Sequence, residues 1–590
     1  MVAGGNFGCA KGIDMSKHEN KAKFGLRNST LNRRQFIKLA GASAVSVGAM
    51  SWSRAPIFAA QPARKRIVIH GERQVTSLGY HNRRETEHVS MVDAGLVTQN
   101  PVTLERVPVL AEELPSIKKG TWKIDTQKKT MITVYKLRPN LKWHDGKPYT
   151  SKDFEFGWQI AKHPEFPMPD RLVPEMISKI ETPDDRTIVI HWNDLYNEAY
   201  AIQYTHVRAF PRHLLLDAFS AGDMKAFANL PFWNKNFVGA GAFRVVEWDG
   251  GSRMELEAFN DFALGRPKID RMTFKTVEDT NTNLAAVLAG EVDFCMRSTI
   301  SFDGAVILRE QWEKQGKGKV LTSPASWTWL NLSRDNALFS DVRVRRALLH
   351  AIDRDAMAQN IFKGERIVSH IPLSRVRKSY KTALATASIY KYDAERAKKL
   401  LAEAGWKPGS DGVMANGKGE RLEFEFRCTA ERRDHEQAQA IIADYWKRIG
   451  VRTNIKNMPN RLLNSAENRS RWPGAFIGSH NVTVEEWQER FHTKNIPAAE
   501  NKYSLENVSG WNDPKKDAIL DELNSIITPA RSEQLQVEYC KMFSEALPHL
   551  PLFFSPEVLV VKKGLTGITP RQESGGQNSS SWNTHQWDKT

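Results

Sequence analysis

Apolar positions along the chain repeat with two periods, and the two alternate. "RKRIVIHG" (Arg64 to Gly71) is a short β-branched run closed by glycine and reads as a strand. "RTIVIHW" reads the same way, and "RLEFEFRC" alternates as a half-buried strand. "MITVYKLRPNLKWHDGKPYT" gives a strand, a turn and an extended piece, with Asp145-Gly146 as the turn dipeptide. Thr150 stands three residues before Asp153, a capping-box spacing, so a helix is predicted to start there and carry Phe154, Phe156 and Trp158. Two strands are predicted around the Asp249-Gly250-Gly251 turn. "DVRVRRALLHAIDRDAM" places Val344, Ala347, Leu348, Ala351 and Ile352 at helical spacing behind Asp341 as N-cap. "YDAERAKKLLAEAGW" repeats that logic, with Asp393 as cap, Ala397, Leu400, Leu401 and Ala404 as the stripe, and Gly405 as the stop. "AIIADYWKRIGVRTNIK" reads as helix, glycine stop and strand. "NDPKKDAILDELNSII" opens on Asp513 and Pro514. "LPLFFSPEVLVV" is β-rich, and the tail "RQESGGQNSSSWNTHQ" is polar and expected to be loose. Alternating strands and helices give an α/β or mixed α+β class. No internal repeat is visible.

Length and charge narrow the picture. At roughly 100–200 residues per domain, 590 residues imply several lobes. Net charge is +16, of which the first sixty residues supply +7, from nine Lys/Arg against two Asp/Glu. The rest is mildly basic with no long basic run, so no nucleic-acid partner is expected. The basic start has its own order. Arg33 and Arg34 precede Phe36, Ile37 and Lys38, then a short apolar run from Leu39 to Met50, then Ala59 and Ala60. Charged, apolar and small-residue segments in that order mark a removable signal. The paired arginines resemble a twin-arginine export signal, with its translocase as a transient partner. The mature chain is expected to start near Gln61, outside the cytoplasm and unanchored. Cys9 lies in the leader. Cys295, Cys428 and Cys540 remain, and no CxxC occurs, so a zinc or iron–sulfur site is not expected. Mostly buried thiols are expected, and one disulfide among the three stays open.

Candidate chemistry is sparse. His144 beside Asp145 invites an acid/base reading, but a turn carboxylate with a neighbouring imidazole explains the pair without catalysis. Gly239 and Gly241 do not complete a phosphate loop, because Arg244 occupies the third glycine position. HExxH, GxSxG and GxxxxGK[ST] are all absent, which counts against the competing reading, an exported hydrolase folded before twin-arginine export. The sixteen histidines form no HxH or HxxxH pair, so no metal and no cofactor are expected.

The order of the pieces carries more than any one of them. "YKLRPNLKWHDGKPYTSKDFEF", "NFVGAGAFRVVEW", "AGEVDF", "LFSDVRVRRALLHAIDRD" and "YDAERAKKLLAEAGW" together resemble the extracytoplasmic solute-binding proteins of the peptide/nickel/opine class (family 5), which serve ABC importers. The family's Gly-Thr-Gly-Pro-Tyr is Gly239-Ala240-Gly241-Ala242-Phe243 here, a conservative departure. The resemblance implies a periplasmic binding protein fold of type II: two hinged lobes plus an extra subdomain. Implied boundaries are 1–60 for the signal, 61–98 and 206–320 for the first lobe, and 99–205 for the extra subdomain. The second lobe would be 321–552, and 553–590 the return to the first lobe with the tail. It further implies no enzyme activity. A monomer in the periplasm would close on a small-molecule ligand and dock on ABC permease subunits in the inner membrane.

Three stretches are candidates for ligand contact. Trp327 and Trp329 in "SPASWTWLNLS" share one face of a strand, turned either to cleft or to core. Glu87 and His88 in "RRETEHVSMVDAGL" match a first-lobe segment that contacts ligand in relatives. "GAFIGSHNVTVEEW" matches the second-lobe stretch where peptide binders carry an aspartate for the peptide's amino terminus. Here that stretch offers Ser479, His480, Asn481 and Trp487, and no aspartate. A buried ammonium needs a carboxylate, so hydroxyl or carboxylate groups of a ligand fit this stretch better than a free amine.

Overall fold

The computed structural model describes residues 64–590, except 73, 76, 80–85, 169–170, 361–362, 365–366, 431, 460–461, 463–464, 482, 526–527, 574–578 and the side chains of Thr86 and His480. The predicted signal and Cys9 therefore lie outside the described residues. One eleven-stranded sheet runs through the molecule. Ten of its strands are β1 (Arg66–Gly71), β2 (Phe243–Asp249), β3 (Arg253–Ala258), β4 (Arg271–Thr276), β5 (Phe294–Cys295), β6 (Gly318–Leu332), β7 (Glu423–Arg427), β8 (Arg452–Ile455), β9 (Ala475–Asn481) and β10 (His549–Lys562). Their spatial order is β8-β7-β9-β6-β10-β5-β1-β4-β3-β2, and Ile367–Val368 adds to β10. A separate four-stranded antiparallel sheet lies within residues 122–192.

The apolar side chains divide into distinct clusters. One gathers residues 67–296 with the chain end, including Leu565 and Trp587. Others form around Leu330–Phe553 and around Trp327, Tyr539 and Phe554. Among the described residues, β6 and β10, fifteen and fourteen residues long, run from one side to the other, paired antiparallel. Their register slips between Ser323 and Ser326, where Pro324 and Ala325 oppose Pro556 alone. Proline cannot donate to the ladder, so it is tolerated at such a bulge.

Most predicted caps form. Asp341, Asp393 and Asp513 each accept the backbone N–H two or three residues on. Gly405 and Gly450 stop their helices at φ of 89° and 80°. The run from Asp341 is two helices rather than one. Val342–His350 ends, and Asp353 caps a second helix by accepting from the Ala356 N–H at 2.8 Å. All three described cysteines are buried free thiols, and burial pushes Cys295 up to about 12.

In its described residues the tail corrects the expectation that it is loose; residues 574–578 of it lie outside the described residues. Ser579, Ser580, Ser581 and Trp587 are fully buried. The Ser580 hydroxyl donates to Glu87 Oε2 at 2.6 Å, and the Ser581 hydroxyl to the Glu87 carbonyl at 2.6 Å. Leu565–Thr566 pairs with Asp588–Lys589. Ser579, Ser580 and Ser581 are held here because each hydroxyl has a partner in the fold.

His144 and Asp145 are parted by the fold. His144 is buried. Its Nε2 faces the Gly241 carbonyl at 3.1 Å, and its Nδ1 accepts the Gly239 N–H at 3.3 Å. Burial pushes His144 down to about 4, so it stays neutral at physiological pH. Asp145 turns outward to His213 at 2.6 Å. The glycines serve the same lock. A Cβ on Gly239 would fall 2.2 Å from the Val92 carbonyl oxygen, and one on Gly241 would fall 2.4 Å from the Asp93 nitrogen. Only glycine admits that approach.

Candidate functional site

A cleft of about 1950 Å³ opens where β6 and β10 cross between the clusters. The bulge places Ser326, Ser555 and Glu557 on its lining. Arg297, Ser298 and Asp303 line one side, and Ser479, Asn481, Glu485, Glu486, Arg490 and Glu506 the other. Ten Arg/Lys and ten Asp/Glu line it among the described residues.

Hydroxyls connect the crossing strands. Ser479 Oγ lies 3.0 Å from Thr328 Oγ1, which lies 2.6 Å from Ser555 Oγ. His435 Nε2 is 3.0 Å from Ser479 Oγ. Asp434 approaches that same Nε2, at 3.8 Å. A catalytic triad needs the carboxylate on the other ring nitrogen, so this serine–histidine–aspartate set is not one.

Most charges in the cleft are paired. Arg208 binds Asp93 at 3.0 Å, and Arg571 binds Glu557 at 2.6 Å. Burial raises the Glu557 carboxyl, but Arg571 outweighs it and holds the group below its ordinary range. Arg490 binds Glu486 at 2.9 Å, and Asn481 donates to the other Glu486 oxygen at 2.9 Å. Arg377 binds Glu485 at 2.8 Å. Among the described residues no group of three or more His, Cys, Asp or Glu could hold a metal ion.

The sequence candidates scatter. Ser479 and Asn481 line the cleft. His480 pairs with Trp327 in the β6–β9 register, and its side chain lies outside the described residues. Trp329 lines the cleft and also a cavity of about 10 Å³ behind it, where it lies over His549 with ring centres 4.3 Å apart. Gly478 opposite makes room, since a Cβ there would fall 2.9 Å from the Trp329 ring. Trp327 borders only the small cavity and donates to Ser369 Oγ at 2.8 Å. Trp487 stacks on Tyr539 at 4.3 Å and donates to the Pro372 carbonyl at 3.0 Å. Glu87 is buried under the tail serines, and His88 packs edge-on against Phe274. Neither lines the cleft.

Sequence reasoning did not find Arg377, Glu485, Glu486, Arg490, Ser555 or Glu557. Ser555-Pro556-Glu557 had a readable signal: three turn-type or polar residues interrupting an apolar strand. Carboxylates do stand within the stretch that lacks an aspartate, at Glu485 and Glu486, both held by arginine.

The family model described as "Bacterial extracellular solute-binding proteins, family 5 Middle" matches residues 105–492. Oligopeptide-binding protein AppA of Bacillus subtilis (strain 168) is 23% identical over 450 residues, covering 76% of this chain and 80% of that protein. Among solved structures, NikZ from Campylobacter jejuni in complex with Ni(L-His) matches with a TM-score of 0.73 and 20% identity, covering 89% of this chain and 99% of that one. AppA from Bacillus subtilis in complex with a nonapeptide matches with a TM-score of 0.71 and 20% identity, over 89% and 99%.

Proposed function

The chain belongs to the family 5 bacterial extracellular solute-binding proteins, and from that premise we propose that it is the receptor of an ABC importer for a peptide-sized solute of mixed charge. The cleft carries this reading. Pockets for single small molecules span about 300–1,000 Å³, whereas this one is about 1950 Å³ and lined by both signs of charge. The sequence and fold similarity to AppA, an oligopeptide-binding protein, supports the same ligand class. Capture proceeds by two lobes closing about the β6–β10 crossing, a strand pair long enough to reach both sides. The closed form then docks on the permease. The missing aspartate at 479–481 leaves amino-terminal recognition to other groups, with Ser479 and Asn481 presenting neutral polar ones. Ligand contact by Trp329 is part of this reading. Trp327, Trp487, Glu87 and His88 act at one remove, as supports of the cleft walls.

Export through the twin-arginine translocase and residence in the periplasm as a monomer complete the proposal. Changing Arg33 and Arg34 to lysine should trap the chain in the cytoplasm, read by fractionation. Normal export of that variant would overturn the twin-arginine assignment. For the ligand, native mass spectrometry of freshly purified protein should show bound peptides. Peptides of several residues should then raise the melting temperature by several degrees. Stabilisation by sugars or metal chelates alone would reject the peptide reading.

A further inference from the structure

Five charged side chains meet between the two sides of the cleft. Arg106 Nη2 lies 2.5 Å from Glu198 Oε2 and 4.0 Å from Glu485 Oε1. Arg377 Nη2 donates to Glu485 Oε2 at 2.8 Å and to Glu573 Oε2 at 2.7 Å, and its Nε donates to Glu573 Oε1 at 3.0 Å. Arg106 and Glu198 belong to the chain that packs in the first cluster. Glu573 lies in the C-terminal segment, between Leu565 and Trp587 of that same cluster. Arg377 and Glu485 are carried with the second side, where Leu373, Tyr380 and Val484 pack around Trp327. The chain of contacts thus crosses from one side to the other twice, at Arg106–Glu485 and at Arg377–Glu573.

Among the described residues its charges do not balance: three carboxylates face two guanidiniums. The Tyr200 phenol beside Arg106 adds no charge at neutral pH. Glu573 is the least accessible member, its side chain wholly buried, while Glu485 is 38% exposed toward the cleft. A buried excess charge is costly, and the usual remedy is a proton.

We propose that this network is a proton-loaded clasp between the two sides of the cleft, holding them together while its odd carboxylate is protonated and releasing them as the pH rises. The clasp rests on the solute-receptor reading for its purpose, since it would set how readily the empty cleft opens. Its physical behaviour is read without ligand.

The direction follows from linkage. Burial pushes the Glu573 carboxyl up to about 7; Arg377 opposes that shift, and Glu485 adds to it. Burial likewise raises Glu198, against Arg106. Glu485 is held below its ordinary range because Arg377 and Arg106 outweigh its burial. A solvated glutamate releases its proton near its ordinary 4.5. The clasped form keeps a proton that a separated, solvated Glu573 gives up. The clasp is therefore fully favoured below about 4.5, weakens as pH climbs to about 7, and stays weak above.

Small-angle X-ray scattering of the ligand-free chain between pH 5 and 8 tests this. The radius of gyration should rise with pH in the wild type. Glu573→Gln should remain at the compact pH 5 value throughout. Glu485→Gln should move the midpoint to lower pH, because it removes the neighbouring negative charge. Circular dichroism identifies any variant that fails to fold, and Glu485→Gln then decides alone. A flat wild-type profile, an unchanged transition in folded Glu573→Gln, or an unmoved midpoint in Glu485→Gln would each overturn the clasp. None of these outcomes depends on which solute binds, so failure here leaves the receptor reading standing.

Discussion

Replacing Arg354 by methionine is expected to destabilise the protein by about 3–5 kcal/mol, the range for stranding buried polar partners. Arg354 is 3% exposed, inside the "AIDRD" piece. Its Nη1 donates to the Ser369 and Pro551 carbonyls, both at 2.8 Å, and its Nη2 to the Tyr390 carbonyl at 2.5 Å. These three acceptors belong to segments far apart in sequence, so one guanidinium ties them together. Burial lowers its own pKa to about 10, with only Asp355 opposing, so the group sits there at a desolvation cost. Methionine removes that cost and keeps much of the volume, but it leaves three buried carbonyls without a donor. The second effect dominates, because each unmet carbonyl costs about 1–3 kcal/mol. Arg354→Lys keeps the charge but lacks the planar fork, so it should fall between the two. Denaturant unfolding measures this directly. A loss under about 1 kcal/mol for Arg354→Met would show that water or the backbone satisfies those carbonyls instead.

That arginine shows where the sequence stops being readable. The helix around Val344 and Leu348 and its Asp341 cap were visible, because both follow from spacing and local hydrogen bonds. Arg354 looked like one more polar residue in the pattern. Its role depends on carbonyls some 15 to 200 residues away, and nothing local encodes them. The same limit governs the site. Ser479 and Asn481 could be placed because they sit in a strand with a recognisable neighbourhood. Arg377, Glu485 and Glu573 could not, since they are ordinary charged residues until the chain brings them together. The tail misled for a related reason. A serine run reads as loose in isolation, and Glu87 gives Ser580 and Ser581 partners while Phe294 gives Trp587 a place to pack.

The opposite case is equally instructive. "WHDG", "GAGAF" and "VDAG" look like chemistry by residue type, yet they lock one another. His144 holds the loop at Gly239 and Gly241, that loop lies flat on Val92–Asp93, and Asp93 Oδ1 accepts the Ala240 N–H at 3.2 Å while its other oxygen pairs with Arg208. Arg208 also lines the cleft. These landmarks therefore shape the wall from behind.

Arg490→Ala should weaken ligand binding at least about tenfold, the size of one lost hydrogen bond to a charged group. Arg490 stands where the cleft meets the small aromatic cavity. Its Nε and Nη2 both reach Glu486 Oε2 at 2.9 Å, and its Nη1 lies 3.7 Å from Glu506. Burial alone would lower the Arg490 pKa; Glu486, Glu506 and Glu489 outweigh it, which makes the cation the centre of an acidic surround. Alanine leaves those carboxylates facing one another across the wall. Glu486 then has reason to turn, and the Asn481 amide bonded to its other oxygen turns with it. The loss should therefore be partly recovered in Arg490→Ala combined with Glu486→Gln, because the second change removes the stranded charge. Calorimetric titration with the peptides recovered by mass spectrometry reads both variants, and melting temperatures confirm that they fold. Binding of Arg490→Ala within threefold of wild type would mean that the solute lies elsewhere in the cleft. A double variant weaker than the single one would mean that Glu486 itself contacts the solute, rather than acting through Asn481.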